Sequence, residues 1–372
     1  MRIINTILLI ISVTIVGASA AETSLKGTAY ADWMMDMSEG ADNYNRFGIG
    51  RAYITAFSKL SDYTSVQITA DIKPELFKTP ETVVIDDDGD SVVIPAQDVS
   101  KGYPFLLKFA YGDWKIKPIE NLLKLRIGLQ PTMYLAFADE LWMRRYIERN
   151  IMDFAGWLST ADLGASAHLS LGEKGRLGAA GLAVLNGTKY SDVTEKNKNK
   201  DINLLAKFTP LPESEDFSML TFVAQYYMGT QNRSIAEGAD AADFKNNIIS
   251  AGGRVGYRSL FDICFDANFR TYGAGAGNED IKSNAISGWA DIYLNKLAPE
   301  AELLKTLTLF GRYDIYDPNT DVEEDGYNLL FAGLECAPVK GVKAALNYRQ
   351  TDYQNEALKA DKYLFLSTEF KF

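Results

Sequence analysis

The stretch Tyr363-Leu364-Phe365-Leu366-Ser367-Thr368-Glu369-Phe370-Lys371-Phe372 ends the chain and decides its fold. As a period-two strand it has two unlike faces. One carries Leu364, Leu366, Thr368, Phe370 and Phe372, and the other Ser367, Glu369 and Lys371. About ten such residues cross a hydrocarbon core when the strand is tilted. The closing strand of a transmembrane β-barrel needs this pattern, with lipid outside, water inside and a ring at headgroup level. The stretch alone fits an ordinary sheet edge about as well, so the rest of the chain must decide.

The same alternation recurs along the chain. In 123–130, four aliphatic side chains alternate with Lys124, Arg126, Gly128 and Gln130, and 64–73 and 261–270 repeat the pattern. A soluble sandwich also alternates, but its connections need not alternate in length. For 47–57 the pattern leaves open which face carries Arg51.

The connections between these strands alternate between short and long. Seven short ones lie at 60–62, 117–121, 172–175, 210–216, 259–260, 296–301 and 338–341. Eight long polar ones lie at 36–45, 74–103, 131–160, 187–200, 229–246, 273–283, 317–326 and 351–361. We therefore predict an all-β fold, a transmembrane antiparallel barrel of about 16 strands with short periplasmic turns and long extracellular loops.

The N-terminus and the composition fit export to the outer membrane of a Gram-negative cell. Arg2, an apolar run and Ala18-Ser19-Ala20 predict a signal peptide at 1–20 that is cleaved, leaving one barrel domain at 21–372. The mean hydropathy of −0.12 does not argue against insertion, because alternating strands escape hydropathy. The formal net charge of −11 argues against nucleic-acid binding. We expect outer-membrane lipid and lipopolysaccharide as surroundings.

The third long loop, 131–160, differs from the others. It is rich in aromatic and apolar side chains, partly at helical spacing, which a loop pointing into water would not carry. We predict that it folds into the barrel and constricts it, with charges that set a local field across the pore. Those charges are Asp139, Glu140, Arg144, Arg145, Glu148 and Arg149. The alternative is a loop packed on the rim or at a subunit contact.

A barrel of about sixteen strands is wide enough to hold water. The predicted wall cations are Lys124, Arg126, Arg254, Arg258, Arg270, Arg312 and Arg349, with Lys73, Lys108, Lys207 and Lys343 as further candidates. The predicted wall acids are Asp71, Asp262, Asp266, Asp291, Asp314 and Glu369. Two interpretations remain open: a basic wall that attracts anions, or a mixed wall with weak preference.

The sequence offers little for catalysis or metal binding. His168 is the only histidine, and same-face neighbours such as Ser166 are expected roughly 6–7 Å away, given the strand rise. The acidic tip at 85–91 does not match a calcium loop. We expect no enzyme activity, no cofactor and no metal. Cys264 and Cys336 could pair or stay free.

Three stretches carry a resemblance to a known family: Ser159-Thr160-Ala161-Asp162-Leu163-Gly164, Gly311-Arg312-Tyr313-Asp314-Ile315-Tyr316-Asp317-Pro318, and 331–372. In them the chain resembles porins related to the phosphate-selective O/P type. The resemblance implies a sixteen-stranded barrel, usually trimeric, that passes small solutes or anions. It also implies that Phe372 belongs to the signal read by the barrel-assembly machinery. The chain departs from the phosphate-selective members by mixing Arg144, Arg145 and Arg149 with acids.

We therefore predict a passive outer-membrane porin, a water-filled channel for small hydrophilic solutes or ions, with a possible preference for anions. The alternatives are a substrate-specific channel for a phosphate-type anion, and a non-conducting structural or adhesive barrel. The sequence leaves the solute and the pore radius open.

Overall fold

A computed structural model of the chain describes residues 22–74, 76–78, 82–85, 91–94, 98–100, 102–117, 119, 121–217, 220–297 and 300–372. The predicted signal peptide at 1–20 and most of the acidic tip, 86–90, lie outside the described residues. In the described part, no helix is both long enough and apolar enough to cross a membrane.

Sixteen of the described strands close into one antiparallel barrel, in which each strand pairs with the next barrel strand along the chain and the last pairs with the first. Its strands are β1 (Glu22–Asp36), β2 (Asn45–Lys59), β3 (Thr64–Ile72), β8 (Phe105–Lys115), β9 (Leu123–Pro131), β10 (Ala161–Leu171), β11 (Gly178–Leu185), β12 (Asp201–Phe208), β13 (Thr221–Thr230), β14 (Lys245–Tyr257), β15 (Phe261–Tyr272), β16 (Ile281–Tyr293), β17 (Leu307–Asp317), β18 (Tyr327–Val339), β19 (Val342–Tyr353) and β20 (Asp361–Lys371). The predicted fold class and strand number are confirmed.

Shorter elements lie in the connections. In the second long loop, β4 (Leu76–Lys78) pairs with β7 (Asp98–Ser100), and β5 (Thr82–Ile85) pairs with β6 (Ser91–Ile94). The third long loop contains α1 (Met133–Trp142) and α2 (Ile151–Phe154), and α3 (Leu294–Leu297) lies in a connection at the opposite end. In the described part of the chain, 3₁₀ turns span Glu173–Gly175, Ala241–Phe244 and Glu302–Thr306.

The C-terminal strand closes the barrel as its pattern predicts. β20 pairs with β1, with Glu369 opposite Tyr30 and Ser367 opposite Asp32. Ser367 is 0% exposed and Glu369 4%, whereas Phe370 is 44% exposed. Closure pairs the backbone groups of both edges, which a membrane requires of any β-structure inside it.

The alternation places apolar side chains outside and polar ones inside, the reverse of a soluble protein. On β15, Ile263 and Phe269 are about half exposed, whereas Asp262, Asp266 and Asn268 are buried. The same holds on β9, where Leu125 and Ile127 face outward.

A bulge explains why the face of Arg51 is ambiguous in the sequence. The pairing of β1 with β2 shifts at Tyr30, which lies opposite Arg51, while Ala31 lies opposite Ile49. Gly50 is the extra residue, so the alternation changes phase there. Ile49 consequently points outward, and Arg51 points inward to Asp71, 3.0 Å away.

All long loops emerge at one end of the barrel, called here the long-loop mouth, because chain-order pairing makes the connections alternate between the two ends. The other end is the short-turn mouth. The order of connections agrees with the prediction, although two at the short-turn mouth, 209–220 and 294–306, are longer than the long-loop connections 273–280 and 354–360.

Candidate functional site

The candidate site is the interior of the barrel, which we call the lumen, together with residues 132–160, the inner loop. The inner loop lies inside the barrel and packs on the wall. Tyr134, Leu135, Trp142, Ile151 and Met152 are 0–1% exposed. These side chains share one buried cluster with side chains of the inner wall.

Aromatic contacts hold the loop against one half of the wall. The Trp142 ring lies edge-on to Trp289 of β16, 5.9 Å between centroids, and to Phe310 of β17, 6.1 Å away. Opposite α1, β11 carries Gly181. A Cβ atom built there would lie 2.5 Å from the Met133 sulfur. A larger residue at 181 would therefore require the Met133 side chain to move.

Buried polar contacts fix the same loop to acids of the wall. Arg144 is 1% exposed and forms ion pairs with Asp291 at 2.8 Å and with Glu335 at 3.3 Å. Tyr146 donates its hydroxyl to Glu335 at 2.6 Å. Burial and the adjacent carboxylate raise the pKa of Tyr146 above its ordinary value, so this hydroxyl remains a donor at neutral pH. Arg144 thus acts as an anchor.

The remaining loop charges form a second network. Arg145 contacts Asp139 at 2.6 Å and Asp153 at 2.8 Å, and Asn150 donates to Asp139 at 2.8 Å. The carboxylate of Glu148 lies 3.5 Å from Arg149 and 3.8 Å from Arg349 of β19. The structure therefore brings most of the predicted constriction charges together, but in pairs.

Two of the six predicted constriction residues, Arg144 and Glu140, lie outside this second network. Arg144 is buried against the wall, so the expectation that its charge faces the pore is wrong. Its aromatic neighbours in the sequence direct it to the wall. Glu140 lies apart from the network and lines the cavity on the short-turn side.

The wall strip of β2, β3 and β8 carries Lys108, one of the further wall candidates, beside Tyr53 and Tyr190, which the sequence did not single out. Lys108 of β8 is 5% exposed and donates to the Tyr53 hydroxyl at 3.1 Å. Its ammonium group also lies 4.6 Å from the centre of the Tyr53 ring and 5.7 Å from that of Tyr190. No carboxylate of the described residues lies within 4 Å of Lys108. Lys108 and Arg51 both lie over the Tyr53 ring, 4.6 and 5.7 Å from its centre, and Arg145 and Asp71 are further charged neighbours of Tyr53.

Most predicted wall cations do face the lumen, and most are paired. Lys124 and Arg126 share Asp113, at 3.2 and 2.7 Å. Arg312 pairs with Asp314 at 2.6 Å, and Arg254 pairs with Asp262. The predicted acids Asp71, Asp262, Asp266, Asp291, Asp314 and Glu369 are all buried on the inner face. The wall is therefore mixed in charge.

Arg258 does not belong to the wall, which corrects the prediction. β14 ends at Tyr257, and Arg258 lies in the following turn in a left-handed conformation, φ 49°. Its side chain is 58% exposed and pairs with Asp216 of the neighbouring turn at 2.5 Å. The alternation of side chains in the sequence continues one residue past the end of the strand, and for this reason Arg258 was predicted to lie on the wall.

Ser166 and His168 are closer than the strand rise predicts. The Ser166 hydroxyl lies 2.8 Å from His168 Nε2, so the expected separation is wrong, because side chains on one face lean along the strand. Ser166 also donates to Gln130 Oε1. Its single hydrogen then leaves His168 Nε2 as the donor to Ser166, a tautomer unsuited to act as a base. The trio is a hydrogen-bonded part of the wall.

Both cysteines are free, Cys264 buried on the inner face and Cys336 on β18 half-buried. In the part of the chain that the structure describes, no group of three or more His, Cys, Asp or Glu side chains is placed to hold a metal ion.

The inner loop leaves a cavity on each side. The cavity toward the long-loop mouth is about 570 Å³, and residues that border it include Trp157, Thr188 and Arg270. The cavity toward the short-turn mouth is also about 570 Å³, and residues that border it include Arg126, Glu140 and His168. The loop therefore divides the lumen into two chambers.

The fold is shared with solved outer-membrane proteins at low sequence identity. Similar structures include the trimer form of OmpT of Vibrio cholerae, 13% identical, TM-score 0.60, covering 95% of this chain and 100% of that one. They also include the outer membrane channel DcaP of Acinetobacter baumannii, 11% identical, TM-score 0.57, covering 95% and 97%. OprB of Pseudomonas putida at high pH is 7% identical, with a TM-score of 0.63 and 94% of each chain covered. Neither a protein-family model nor a curated protein sequence matches this chain. The fold is thus that of outer-membrane barrels, and the resemblance to phosphate-selective porins stays a prediction.

Proposed function

We propose that this chain is a passive porin of a Gram-negative outer membrane, exported by its signal peptide, that lets small hydrophilic solutes or ions diffuse through its lumen. One observation carries the proposal: a closed barrel with an apolar exterior and a charged interior holds an inner loop with a chamber on each side. A barrel of this strand number is wider than its wall side chains can fill. The structural similarity to an outer membrane channel supports the same conclusion.

Recording in planar bilayers tests the proposal. Purified protein should insert in discrete steps of equal conductance under an applied voltage. Protein that inserts, as shown by protease protection in vesicles, but produces no steps would rule out the open pore and favour a non-conducting structural barrel.

We propose that a weak anion preference arises in the constriction between the inner loop and Lys108. Most wall arginines are neutralised by a carboxylate, whereas Lys108 has none within 4 Å among the described residues, and Asp71 of the same strip is paired with Arg51. Low-dielectric walls strengthen the field of Lys108. A reversal potential under a salt gradient should have the sign of anion selectivity, and Lys108→Met should move it toward zero.

A substrate-specific channel is the second candidate, including one for a phosphate-type anion. It is favoured by the loop core, in which Trp142 and Ile151 fill lumen space that a wide pore would leave open. Specific channels are blocked by their substrate at low concentration. Micromolar block by one solute would favour this candidate, and linear conductance in every solute would favour the general pore.

We propose a homotrimer set in lipid and lipopolysaccharide, delivered by the barrel-assembly machinery through Phe372. The exposed outer side chains include Ile68, Ile127 and Leu346, and an apolar surface of this kind serves equally for lipid and for a subunit contact. The similar fold of a barrel solved in a trimer form supports three copies. Native mass spectrometry from mild detergent should give a mass of three chains, and a single-chain mass at all concentrations would contradict it.

A further inference from the structure

Arg270 differs from the other arginines of the lumen. Arg51, Arg126, Arg254 and Arg312 of the wall and Arg144 and Arg145 of the inner loop each have a carboxylate within 3.0 Å, and Arg349 has one at 3.8 Å. Among the residues that the structure describes, no carboxylate lies within 4.0 Å of the Arg270 guanidinium. A half-buried guanidinium without an anion is costly, since burial removes solvent that stabilises the charge.

The guanidinium of Arg270 is held in place by neutral groups. Its Nε donates to Asn246 Oδ1 of β14 at 2.8 Å. Its central carbon lies 4.0 Å from the centre of the Tyr272 ring and 5.7 Å from that of Trp157 in the inner loop. The hydroxyl groups of Tyr272 and Tyr316 are further neutral neighbours of the guanidinium, and no carboxylate of the described residues pairs with its two terminal nitrogens. These two nitrogens form the fork that binds a carboxylate with two parallel hydrogen bonds.

The acidic side chains that border the same chamber already accept hydrogen bonds from other groups. Asp162 accepts from the backbone N–H of Gly187 at 2.8 Å and from the Thr188 hydroxyl at 2.6 Å. Asp201 accepts from the backbone N–H of Thr230 at 2.9 Å and from the Tyr227 hydroxyl. Asp162 ties a loop to the end of a strand, and Asp201 joins the ends of β12 and β13. Asp192, the third acid that borders the chamber, accepts from Lys196 Nζ at 3.5 Å. They therefore do not compete for the guanidinium, and Arg270 faces the chamber of about 570 Å³ without an internal anion.

Aromatic surface lies beside the guanidinium. Tyr272 and Trp157 border the chamber next to Arg270, and the indole N–H of Trp157 has no hydrogen-bond partner in the described residues. Ring faces favour a flat, apolar body over a fully hydrated inorganic ion.

We propose that this chamber contains a binding site for small ring-bearing carboxylates, in which Arg270 receives the carboxylate and Tyr272 and Trp157 contact the ring. The site deepens the proposed porin function by naming a solute class that is held before it passes the inner loop. Its position differs from that of Lys108, because Arg270 lies on β15 and borders the chamber, whereas Lys108 lies on β8 beside Tyr53 and Tyr190.

Binding of benzoate to the detergent-solubilised protein, measured by calorimetry, tests the site without requiring conductance. Benzoate should bind, acetate and inorganic phosphate should bind at least tenfold more weakly, and Arg270→Gln should weaken benzoate about tenfold or more, as expected for loss of a charge-assisted pair. Arg270→Lys keeps the charge and loses the fork, so it should also weaken benzoate. The matched control is Arg233→Gln, because the exposed Arg233 borders the same chamber and lies on Phe244. It should leave benzoate affinity within twofold.

Unchanged benzoate affinity in a correctly folded Arg270→Gln or Arg270→Lys protein would overturn the site. Equal affinity for phosphate and benzoate would overturn the assignment to ring-bearing carboxylates. Bilayer recording separates this result from the porin proposal. Arg270-dependent binding by a protein that does not conduct would keep the site and refute the pore, and conductance without benzoate binding would do the reverse.

Discussion

At the scale of single residues, Arg144 determines whether the inner loop stays on the wall. It is the cation of a buried group that includes Asp291 and Glu335, both of which are largely shielded from solvent. Taking charges out of water is costly, so the group is stable only while the charges compensate one another.

Replacing Arg144 by Met should leave the buried Asp291 without a cation and Glu335 with only Lys343, 3.6 Å away. Removing one partner of a buried pair costs about 3–5 kcal/mol of stability. Here we expect it to weaken the packing of the inner loop on the wall, because the backbone hydrogen bonds between the barrel strands are unchanged. We expect noisier and larger single-channel conductance, with unchanged heat-modifiable migration of the barrel. Arg149→Gln is the control, because the Arg149 side chain is 42% exposed and its pair with Glu148 is weak. Equal effects of both variants would contradict an anchoring role for Arg144.

Phe372 offers a second test at this scale. Its backbone exchanges two hydrogen bonds with Gly27, at 2.9 and 3.1 Å, and its ring lies over that glycine, where a Cβ atom would clash at 2.1 Å. Deleting Phe372 removes these last contacts of the closing seam, so the yield of folded barrel should fall more than the conductance of the protein that does insert. Phe47→Ala is the matched change outside the β1–β20 seam, since Phe47 is 85% exposed and lies on β2, opposite Trp33 of β1. Normal yield of the truncated protein would refute the prediction.

Predictions from the sequence were least accurate for the positions of individual side chains. Arg258 continues the alternation of β14 but lies in a turn, and Ser166 and His168 meet although their spacing predicts otherwise. Period-two patterning reports which face a residue occupies, whereas strand ends and side-chain lean depend on three-dimensional contacts. For the same reason, the sequence could not show that Asp291 and Glu335 are the partners of Arg144.

At the scale of elements, the inner loop was predictable because its composition contradicts its apparent exposure. Large apolar groups in a polar connection require a place to be buried, and the lumen is the available one. The sequence did not predict which half of the wall the inner loop covers, because Trp289, Phe310 and Asp291 are neighbours only once the barrel closes.

Excising the inner loop should widen the pore and leave the barrel folded. The loop ends are already joined, since Pro131 pairs with Ala161 and the Thr132 N–H donates to Thr160 at 3.2 Å. Replacing 133–159 by a two-residue turn should therefore raise single-channel conductance at least about twofold, since a pore narrowed by a loop conducts according to its constriction. Shortening 275–278, an exposed loop tip, is the control and should leave conductance unchanged. Equal conductance of the excised and parent proteins would show that the loop does not limit flow.

At the scale of the whole molecule, the sequence predicted the strand number because two independent patterns agree. Alternation marks each strand, and the order of short and long connections fixes how many hairpins the chain makes. Neither pattern contains the distribution of charge in the lumen, since a lysine without a partner and an arginine with one look the same in sequence. Lys108 and Arg270 became distinct only through what lies around them.

The orientation of the barrel in the membrane gives the last prediction. If a finished barrel inserted from the periplasm, its long loops would have to carry polar chain through lipid. If the loops instead pass outward through the forming lumen, the short turns stay on the periplasmic side. We therefore expect the long-loop mouth to face outward. In a background with Cys264 and Cys336 replaced by Ala, Glu279→Cys in an exposed long loop should react with a membrane-impermeant maleimide on intact cells. Lys340→Cys, exposed at the short-turn mouth, should react only after the cells are lysed. The two positions are matched in exposure and differ in the mouth they occupy, so labelling of Lys340→Cys on intact cells with protection of Glu279→Cys would invert the barrel. The long-loop mouth, with the Arg270 chamber beneath it, would then be the periplasmic one.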